Sequence, residues 1–184
     1  KLLDMLIEGL NEYDDIIKAF ADSLDWDWRL LASQIYQESR FDPAVRSWAG
    51  AVGLMQLMPR TARKYGAVNI LEPYDNILAG TNYLHWLENY WAKIRDEQER
   101  IKFVLASYNT GFGHVEDARS LAKKYGKNPD KWEGNVREYV LKLSAKEFYN
   151  DEVVKHGYCR GEEPVRYVDE IFKRYKDYKR LIEG

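Results

Sequence analysis

Apolar residues recur along most of the chain at spacings of three and four, the period of an α-helix with one buried face. No stretch alternates between apolar and polar residues as a half-buried β-strand would. One helix is expected through Ile16 and Leu24, and Asp25 or Asp27 can cap the next. Others are expected from a first turn at Pro59 and at about 75–92, 97–109, 114–124, 132–143 and 164–181. The sequence therefore predicts an all-α (mainly α) fold.

The domain organisation is expected to be simple. No repeat, low-complexity tract or linker interrupts the pattern, so we predict a single helical domain over residues 1–184, with a lead-in helix at 1–24 and a core at 25–181. Residues 144–163 have no clear period and are expected to form a loop or a short hairpin. The chain opens inside an apolar helical pattern, without a signal peptide or an apolar run of ~18 residues. We expect a fragment whose export and anchoring segments lie outside this sequence.

Composition limits the possible functions more than it selects one. Apolar residues make up 45% of the chain and charged residues 32%, as in an ordinary globular protein, and the net charge is -2. A domain that binds nucleic acid through phosphates usually carries a basic surplus, so nucleic acid is not an expected partner. The 6 Trp, 14 Tyr and 6 Phe fit either an aromatic core or a groove for a flat, hydroxylated ligand such as a sugar.

Neither a metal nor a cofactor is expected. Cys159 is the only cysteine, so an intrachain disulfide and a cysteine-based metal site are both excluded. The histidines, His85, His114 and His156, lack the spacing of metal ligands. The chain also has no phosphate-binding glycine loop and no oxygen-rich calcium loop.

One carboxylate falls where a helix should be apolar. The residues three, four and seven positions before Glu38 are Ile35, Gln34 and Leu31. Residues so spaced share a helix face, which places Glu38 on the buried stripe at the C-terminal end. Burial and the negative end of the helix dipole both disfavour the ionised form, so we expect a raised pKa and a role as general acid. The alternative is an ion pair with a nearby cation such as Arg40 or Arg46.

Other side chains have the chemistry of a saccharide site. Ser47 and Gln56 flank a glycine-containing turn, and Tyr108 and Asn109 stand at a predicted helix end beside a glycine. Hydroxyl and amide groups can bond the hydroxyls and acetamido groups of sugars. Each also has a structural explanation, because Met55 and Tyr108 could be core side chains and Asn109 a helix cap.

Five motifs follow one another along the chain. They are Glu38-Ser39, Ser47, Gly53-Leu54-Met55-Gln56, Tyr108-Asn109 with Gly111, and Tyr167-Val168. In this order they resemble the SLT-type lytic transglycosylase domain, which is related to goose-type lysozyme, and the resemblance covers about residues 25–180. Ser107 departs from the family's usual Ala-Tyr-Asn, and Pro164-Val165-Arg166 is a loose match.

Further segments are typical of one branch of that family. They are Leu24-Asp25-Trp26, Trp28-Arg29-Leu30-Leu31-Ala32, Asp117-Ala118-Arg119, Asn128-Pro129-Asp130-Lys131-Trp132 and Gly157-Tyr158-Cys159-Arg160-Gly161. They look closer to the membrane-bound lytic murein transglycosylase F subfamily, whose members carry an additional N-terminal solute-binding-like module. The resemblance implies a place at the periplasmic face of the outer membrane, with membrane association only through segments outside this sequence.

The resemblance implies a lysozyme-like fold with Glu38 in a substrate cleft between lobes. The implied substrate is the peptidoglycan glycan strand of alternating N-acetylmuramic acid and N-acetylglucosamine. Glu38 would protonate the oxygen of the β-1,4 bond and then act as base toward the 6-hydroxyl of muramic acid, giving a 1,6-anhydro ring. By the same resemblance, Ser47, Gln56 and Asn109 would position sugars, Met55 would pack against a sugar face, and Tyr108 and Tyr167 would line the site. A monomer is expected.

The number of carboxylates separates a transglycosylase from a hydrolase, because most glycosidases use two. Between Glu38 and Gln56 the only other acid is Asp42, which precedes Pro43 and is expected to shape that turn. A single acid and base suits attack by the sugar's own hydroxyl, which is already close. Two alternatives stay open: a hydrolysing muramidase or chitin-directed relative, and a non-catalytic module that binds glycan or an inhibitor protein.

Overall fold

The computed structural model describes the backbone of residues 2–184 and the side chains of residues 12–184. The described chain contains nine α-helices: α1 Leu2–Ser23, α2 Trp28–Ser39, α3 Pro59–Lys64, α4 Pro73–Tyr90, α5 Glu97–Thr110, α6 Phe112–Lys124, α7 Arg137–Lys142, α8 Lys146–Tyr149 and α9 Glu162–Leu181. Over residues 2–184 there is no β-strand, only two isolated antiparallel bridges. The predicted all-α fold is confirmed.

Most predicted helices begin and end within two residues of the observed ones, but the prediction for 132–143 was partly wrong. Residues Trp132–Val136 form a wide turn in which Glu133 and Gly134 leave helical geometry, and Gly134 takes a left-handed φ of 68°. Only α7 is regular there. In the segment 144–163 the hairpin alternative was wrong, because α8 and irregular chain occupy it.

The chain forms two compact units. The first comprises Lys1–His85 with Glu170–Gly184, and the second comprises Trp86–Asp169. In the first unit α1 packs against α2, around a core that includes Ile17, Leu31, Ile35, Leu54 and Ile77. In the second, α6 packs against both α5 and α7, around Trp91, Phe103, Leu121, Trp132 and Val140. No helix within residues 2–184 is both long enough and apolar enough to cross a membrane.

Part of the aromatic content builds the core of the second unit. The ring centroids of Trp91 and Phe103 are 5.4 Å apart, and those of Phe103 and Trp132 are 5.5 Å apart. All three side chains are fully buried. For these rings the core interpretation, rather than a ligand groove, is confirmed.

The start of α2 is held by a charged cap. Of the two predicted N-caps, Asp25 and Asp27, the structure uses Asp27, whose Oδ1 accepts from Arg29 N at 2.9 Å. The Arg29 guanidinium also donates to Asp27 Oδ2 at 2.6 Å and to the Ile182 carbonyl at 2.7 Å, while the Tyr175 hydroxyl donates to Asp27 at 3.0 Å. These bonds hold the pKa of Asp27 below its usual value, with Arg29 as the largest cause. They fix the start of the helix that carries Glu38 to the C-terminal part of α9.

Candidate active site

Glu38 lies in the last turn of α2 and is half-buried. The face predicted to point inward has no exposed surface at Leu31, Gln34 and Ile35. The helix ends at Ser39 and is capped by Arg40, which has a left-handed backbone (φ 52°) and whose N–H donates to the Tyr36 carbonyl at 2.9 Å. Glu38 therefore stands at the carbonyl end of a helix, where the dipole disfavours negative charge. The raised pKa expected for Glu38 stays a prediction.

A polar network fixes the C-terminal turns of α2 to α9 inside the first unit. Arg174 donates to the Ser33 carbonyl at 3.2 Å and to Gln37 Oε1 at 3.1 Å. Gln37 Nε2 donates in turn to Glu170 Oε2 at 3.0 Å. Desolvation lowers the pKa of the half-buried Arg174 guanidinium from its ordinary value. Because these bonds reach the residue before Glu38, they hold the backbone that carries it.

Glu170 is a second carboxylate at this end of α2, and no pattern in the sequence indicated it. It accepts from Gln37, and successive residues of an α-helix point about 100° apart. The Glu170 carboxylate is therefore bound by Gln37 on the helix face next to the face that carries Glu38. Nothing in the spacing of the sequence could have revealed this contact, because α2 and α9 are far apart along the chain.

The chain leaves α2 through a strained turn. Arg40 and the next residue, Phe41, both have left-handed backbones, with φ 52° and 63°. The Phe41 side chain is buried, and its packing offsets that strain. Asp42 Oδ1 then accepts from Ala44 N at 2.9 Å, which is an Asx turn. The turn-shaping role expected of Asp42 is confirmed.

The segment 45–57 forms a compact loop around Val52. Arg46 and Leu57 each pair with Val52 as an isolated antiparallel bridge. Ser47 closes the tip of this loop, because its N–H donates to the Ala51 carbonyl at 2.9 Å and its Oγ accepts from Ala51 N at 3.0 Å. The Ser47 hydroxyl is half-buried and keeps its own hydrogen for donation to a ligand.

Asn76 of α4 clamps the glycine turn of the loop, and sequence reasoning missed it. Its side chain is 1% exposed, and its Nδ2 donates to the carbonyls of Val52 at 3.0 Å and Ile70 at 2.9 Å. Its Oδ1 accepts from Met55 N at 2.7 Å. Gly53 has a φ of 85°, and a Cβ there would lie 2.3 Å from Asn76 Nδ2. The turn therefore requires glycine at this position.

Gln56 is partly committed to the loop itself. Its backbone is left-handed, with φ 49°, and its Nε2 donates to the carbonyls of Val45 at 3.0 Å and Gly53 at 2.9 Å. These bonds use both hydrogens of the amide group. The side-chain oxygen is the atom of Gln56 that could accept from a ligand.

Met55 lies in the interior of the first unit. It has no exposed surface, and a Cβ added at Gly80 of α4 would lie 2.3 Å from Met55 Sδ. This close packing fits the core alternative for Met55. A sugar could contact the thioether only after Met55 became exposed.

Tyr108 and Asn109 lie in the last turn of α5, the first half-buried and the second exposed. Gly111, not Asn109, caps this helix, with φ 94° and an N–H that donates to the Ser107 carbonyl at 2.8 Å. The capping alternative for Asn109 was therefore wrong. Ser107 is fully buried, and its Oγ accepts from Trp91 Nε1 at 2.8 Å. Ser107 is the residue that interrupts the family's frequent Ala-Tyr-Asn. Its hydroxyl therefore has a structural role, because it accepts the hydrogen bond of a buried tryptophan indole.

The predicted site residues divide between the two units. Glu38, Ser47, Met55 and Gln56 belong to the first unit, and Tyr108, Asn109 and Tyr167 belong to the second. Tyr167 lies in α9 and is 5% exposed.

Among the side chains of residues 12–184, no group of three or more His, Cys, Asp or Glu residues could hold a metal ion.

Comparison with known families identifies the family of this chain. The transglycosylase SLT domain matches residues 15–131. The chain belongs to the transglycosylase SLT domain family. Its similarity to a branch of that family is also confirmed: it is 43% identical over 172 residues to membrane-bound lytic murein transglycosylase F of Pseudomonas fluorescens (strain Pf0-1), which covers 94% of this chain and 35% of the relative. A second relative of the same name, from Desulfosudis oleivorans, is 40% identical over 166 residues, 90% of this chain and 36% of the relative.

A solved structure shares the fold of this SLT domain. Lytic transglycosylase Slt of Pseudomonas aeruginosa, an inactive mutant, superimposes with a TM-score of 0.61 over 92% of this chain and 24% of that one. At 22% identity the likeness concerns the fold alone, and it confirms the fold predicted from the motifs. The chain spans about a third of the length of the curated relatives it matches.

Proposed function

We propose that this SLT domain is the catalytic part of a peptidoglycan lytic transglycosylase. It cleaves the β-1,4 bond between N-acetylmuramic acid and N-acetylglucosamine and leaves a 1,6-anhydro ring. Family membership and the names of the relatives support the class of activity. The observation that carries the catalytic role of Glu38 is its placement, half-buried in the last turn of α2, at the negative end of the helix.

Glu38 acts first as acid and then as base in this proposal. Protonated Glu38 gives its proton to the glycosidic oxygen as the bond from that oxygen to the anomeric carbon of muramic acid breaks. The resulting carboxylate takes the proton of the muramic acid 6-hydroxyl, whose oxygen closes on the anomeric carbon. Glu38 ends the cycle protonated, and no water is consumed. The attacking hydroxyl belongs to the same sugar, so proximity replaces activation by a second carboxylate.

The remaining site residues hold the sugars. Ser47 donates its hydroxyl hydrogen, and Gln56 accepts through its side-chain oxygen, because the amide hydrogens of Gln56 are used inside the loop. In the second unit, Tyr108, Asn109 and Tyr167 are the residues proposed to contact sugars, and Asn109 is exposed and offers both donor and acceptor atoms. Met55 supports the loop from within and reaches a sugar only if it becomes exposed.

The proposed location follows from the relatives. Both are named membrane-bound, and the substrate is the cell wall, so we place this activity at the periplasmic face of the outer membrane, acting on glycan strands as a monomer. The proposed acid–base chemistry uses only protein side chains and the substrate, without a nucleic acid, metal or cofactor.

Digestion of purified sacculi followed by mass spectrometry tests the proposal. The expected products are anhydro-muropeptides, each lighter by one water than the product of hydrolysis. Glu38→Gln should lower turnover by at least about hundredfold, since general acid–base groups contribute that much or more. Glu72→Gln is the matched control, because Glu72 is an exposed carboxylate of the same unit. Products that end mainly in reducing muramic acid, or normal turnover by Glu38→Gln, would contradict the proposal.

A further inference from the structure

Trp48 is the most exposed large apolar side chain of the described protein. Its relative exposure is 101%, whereas Trp26, Trp91 and Trp132 are buried. Its ring makes no aromatic, cation–π or hydrogen-bonding contact with the side chains and backbone described over residues 12–184. A packed aromatic residue removes about 150–250 Å² from water, and Trp48 forgoes this entirely. The fold therefore does not account for an indole at this position.

The backbone that presents Trp48 is well defined. Trp48 follows Ser47 at the tip of the loop 45–57, where Ser47 N donates to the Ala51 carbonyl and Gly50 N donates to the Ser47 carbonyl at 3.0 Å. Gly50 has a φ of 97°, which favours glycine and closes the turn. The bridges at the base of the loop fix its orientation. Because the backbone of the turn is already ordered and an indole side chain has only two rotatable bonds, binding costs Trp48 little conformational freedom.

We infer that Trp48 is an aromatic platform that binds a sugar ring of the glycan strand, next to Ser47 and outside the set of residues that the family motifs assign. This inference rests on the proposed function, through the role of Ser47. The face of an indole carries negative charge density, and one face of a pyranose carries C–H groups, so the two attract as they stack. The indole N–H adds a donor for a hydroxyl or acetamido oxygen.

A membrane surface is the competing occupant, and the loop tip does not favour it. Peripheral membrane binding usually needs an amphipathic face with several large apolar side chains and basic residues. The tip offers one ring followed by the small exposed residues Ala49 and Gly50, and the 45% exposed Met58 side chain beside Gly50 adds one flexible thioether rather than an amphipathic helical face. A single flat ring beside a hydroxyl matches one sugar unit better than a bilayer.

Binding to stem-peptide-free glycan strands, measured in the Glu38→Gln protein so that no strand is cleaved, tests the inference. Adding Trp48→Ala should weaken binding about fivefold to tenfold, and Trp48→Phe should recover most of the loss, because a phenyl ring can still stack. Val68→Ala is the matched control, since Val68 is 96% exposed in the same unit. Strands should also shift the tryptophan emission of Glu38→Gln to shorter wavelength, and this shift should vanish with Trp48→Phe.

Equal affinity of Glu38→Gln with and without Trp48→Ala would overturn the inference. So would Trp48-dependent binding to vesicles of phosphatidylethanolamine and phosphatidylglycerol without Trp48-dependent binding to strands. If the unmodified protein releases anhydro products while Trp48→Ala binds strands normally, only the platform fails. If the unmodified protein neither binds nor cleaves strands, the proposed function and the platform fail together.

Discussion

Asn76→Ala tests how the glycine turn of the loop 45–57 is held. Asn76 is almost fully buried and makes three hydrogen bonds, to Val52, Ile70 and Met55, all at 3.0 Å or less. Alanine removes the whole amide group and leaves the Met55 N–H inside the protein without this acceptor. The variant therefore addresses one structural element, the segment from Val52 to Met55, without touching Glu38.

The expected loss of stability follows from those bonds. A hydrogen bond contributes about 0.5–1.5 kcal/mol net, so three contribute about 1.5–4.5 kcal/mol, and leaving a buried donor unsatisfied keeps the loss toward the upper part of that range. We expect a decrease of about 4 kcal/mol in the free energy of unfolding. That is a large fraction of the roughly 5–15 kcal/mol typical of a folded domain.

Urea unfolding followed by far-ultraviolet circular dichroism measures this loss. Asn82→Ala is the control, because Asn82 is exposed and makes one side-chain bond, to the Tyr65 carbonyl at 2.8 Å. It should lose less than about 1 kcal/mol. Gly53→Ala should also destabilise, and combining it with Asn76→Ala should cost less than the sum, because the amide that the new methyl group would strike is gone. Equal losses for Asn76→Ala and Asn82→Ala would refute the clamp.

Three further predictions address the core, the cap and the number of catalytic carboxylates. Ser107→Ala leaves the buried Trp91 indole without its acceptor and should lower the free energy of unfolding by about 1–3 kcal/mol in the same urea assay. Asp27→Asn should destabilise the protein most near neutral pH. Bonds from Arg29 lower the pKa of Asp27, so the stability that the ionised carboxylate contributes is complete above the unfolded-state pKa of about 4. That contribution disappears as pH falls through the folded-state pKa. Unfolding curves of the two proteins should converge in acid, and a constant difference down to the lowest pH would contradict this. Asp42→Asn and Glu170→Gln should both keep turnover of sacculi, whereas a loss above about hundredfold in either would reveal a second catalytic carboxylate.

Local signals allowed the sequence to predict α2 and the placement of Glu38. The Asp27 cap and the period of Leu31 and Ile35 act within a few residues, and the structure keeps both. The turn role of Asp42 was predictable for the same reason, since its bond reaches only Ala44. Where the physics is local, residue type and spacing were sufficient.

Contacts between distant segments were not predictable. Asn76 bonds a loop more than twenty positions away, and Glu170 meets Gln37 across most of the chain. The burial of Met55 depends on the absence of a side chain at Gly80, which no pattern around Met55 reveals. The kink at Gly134 escaped detection because apolar residues on both sides of it still face the core, so the helical period continues through the break.

The source of the oxygen at the cleaved bond tests the central claim most directly. Sacculi should be digested in water enriched in heavy oxygen, and the muramic acid ends should be weighed by mass spectrometry. Attack by the 6-hydroxyl under the control of Glu38 predicts anhydro ends that carry no heavy oxygen. Muramic acid ends that each gain one heavy oxygen atom would show that water is the nucleophile and would contradict the account.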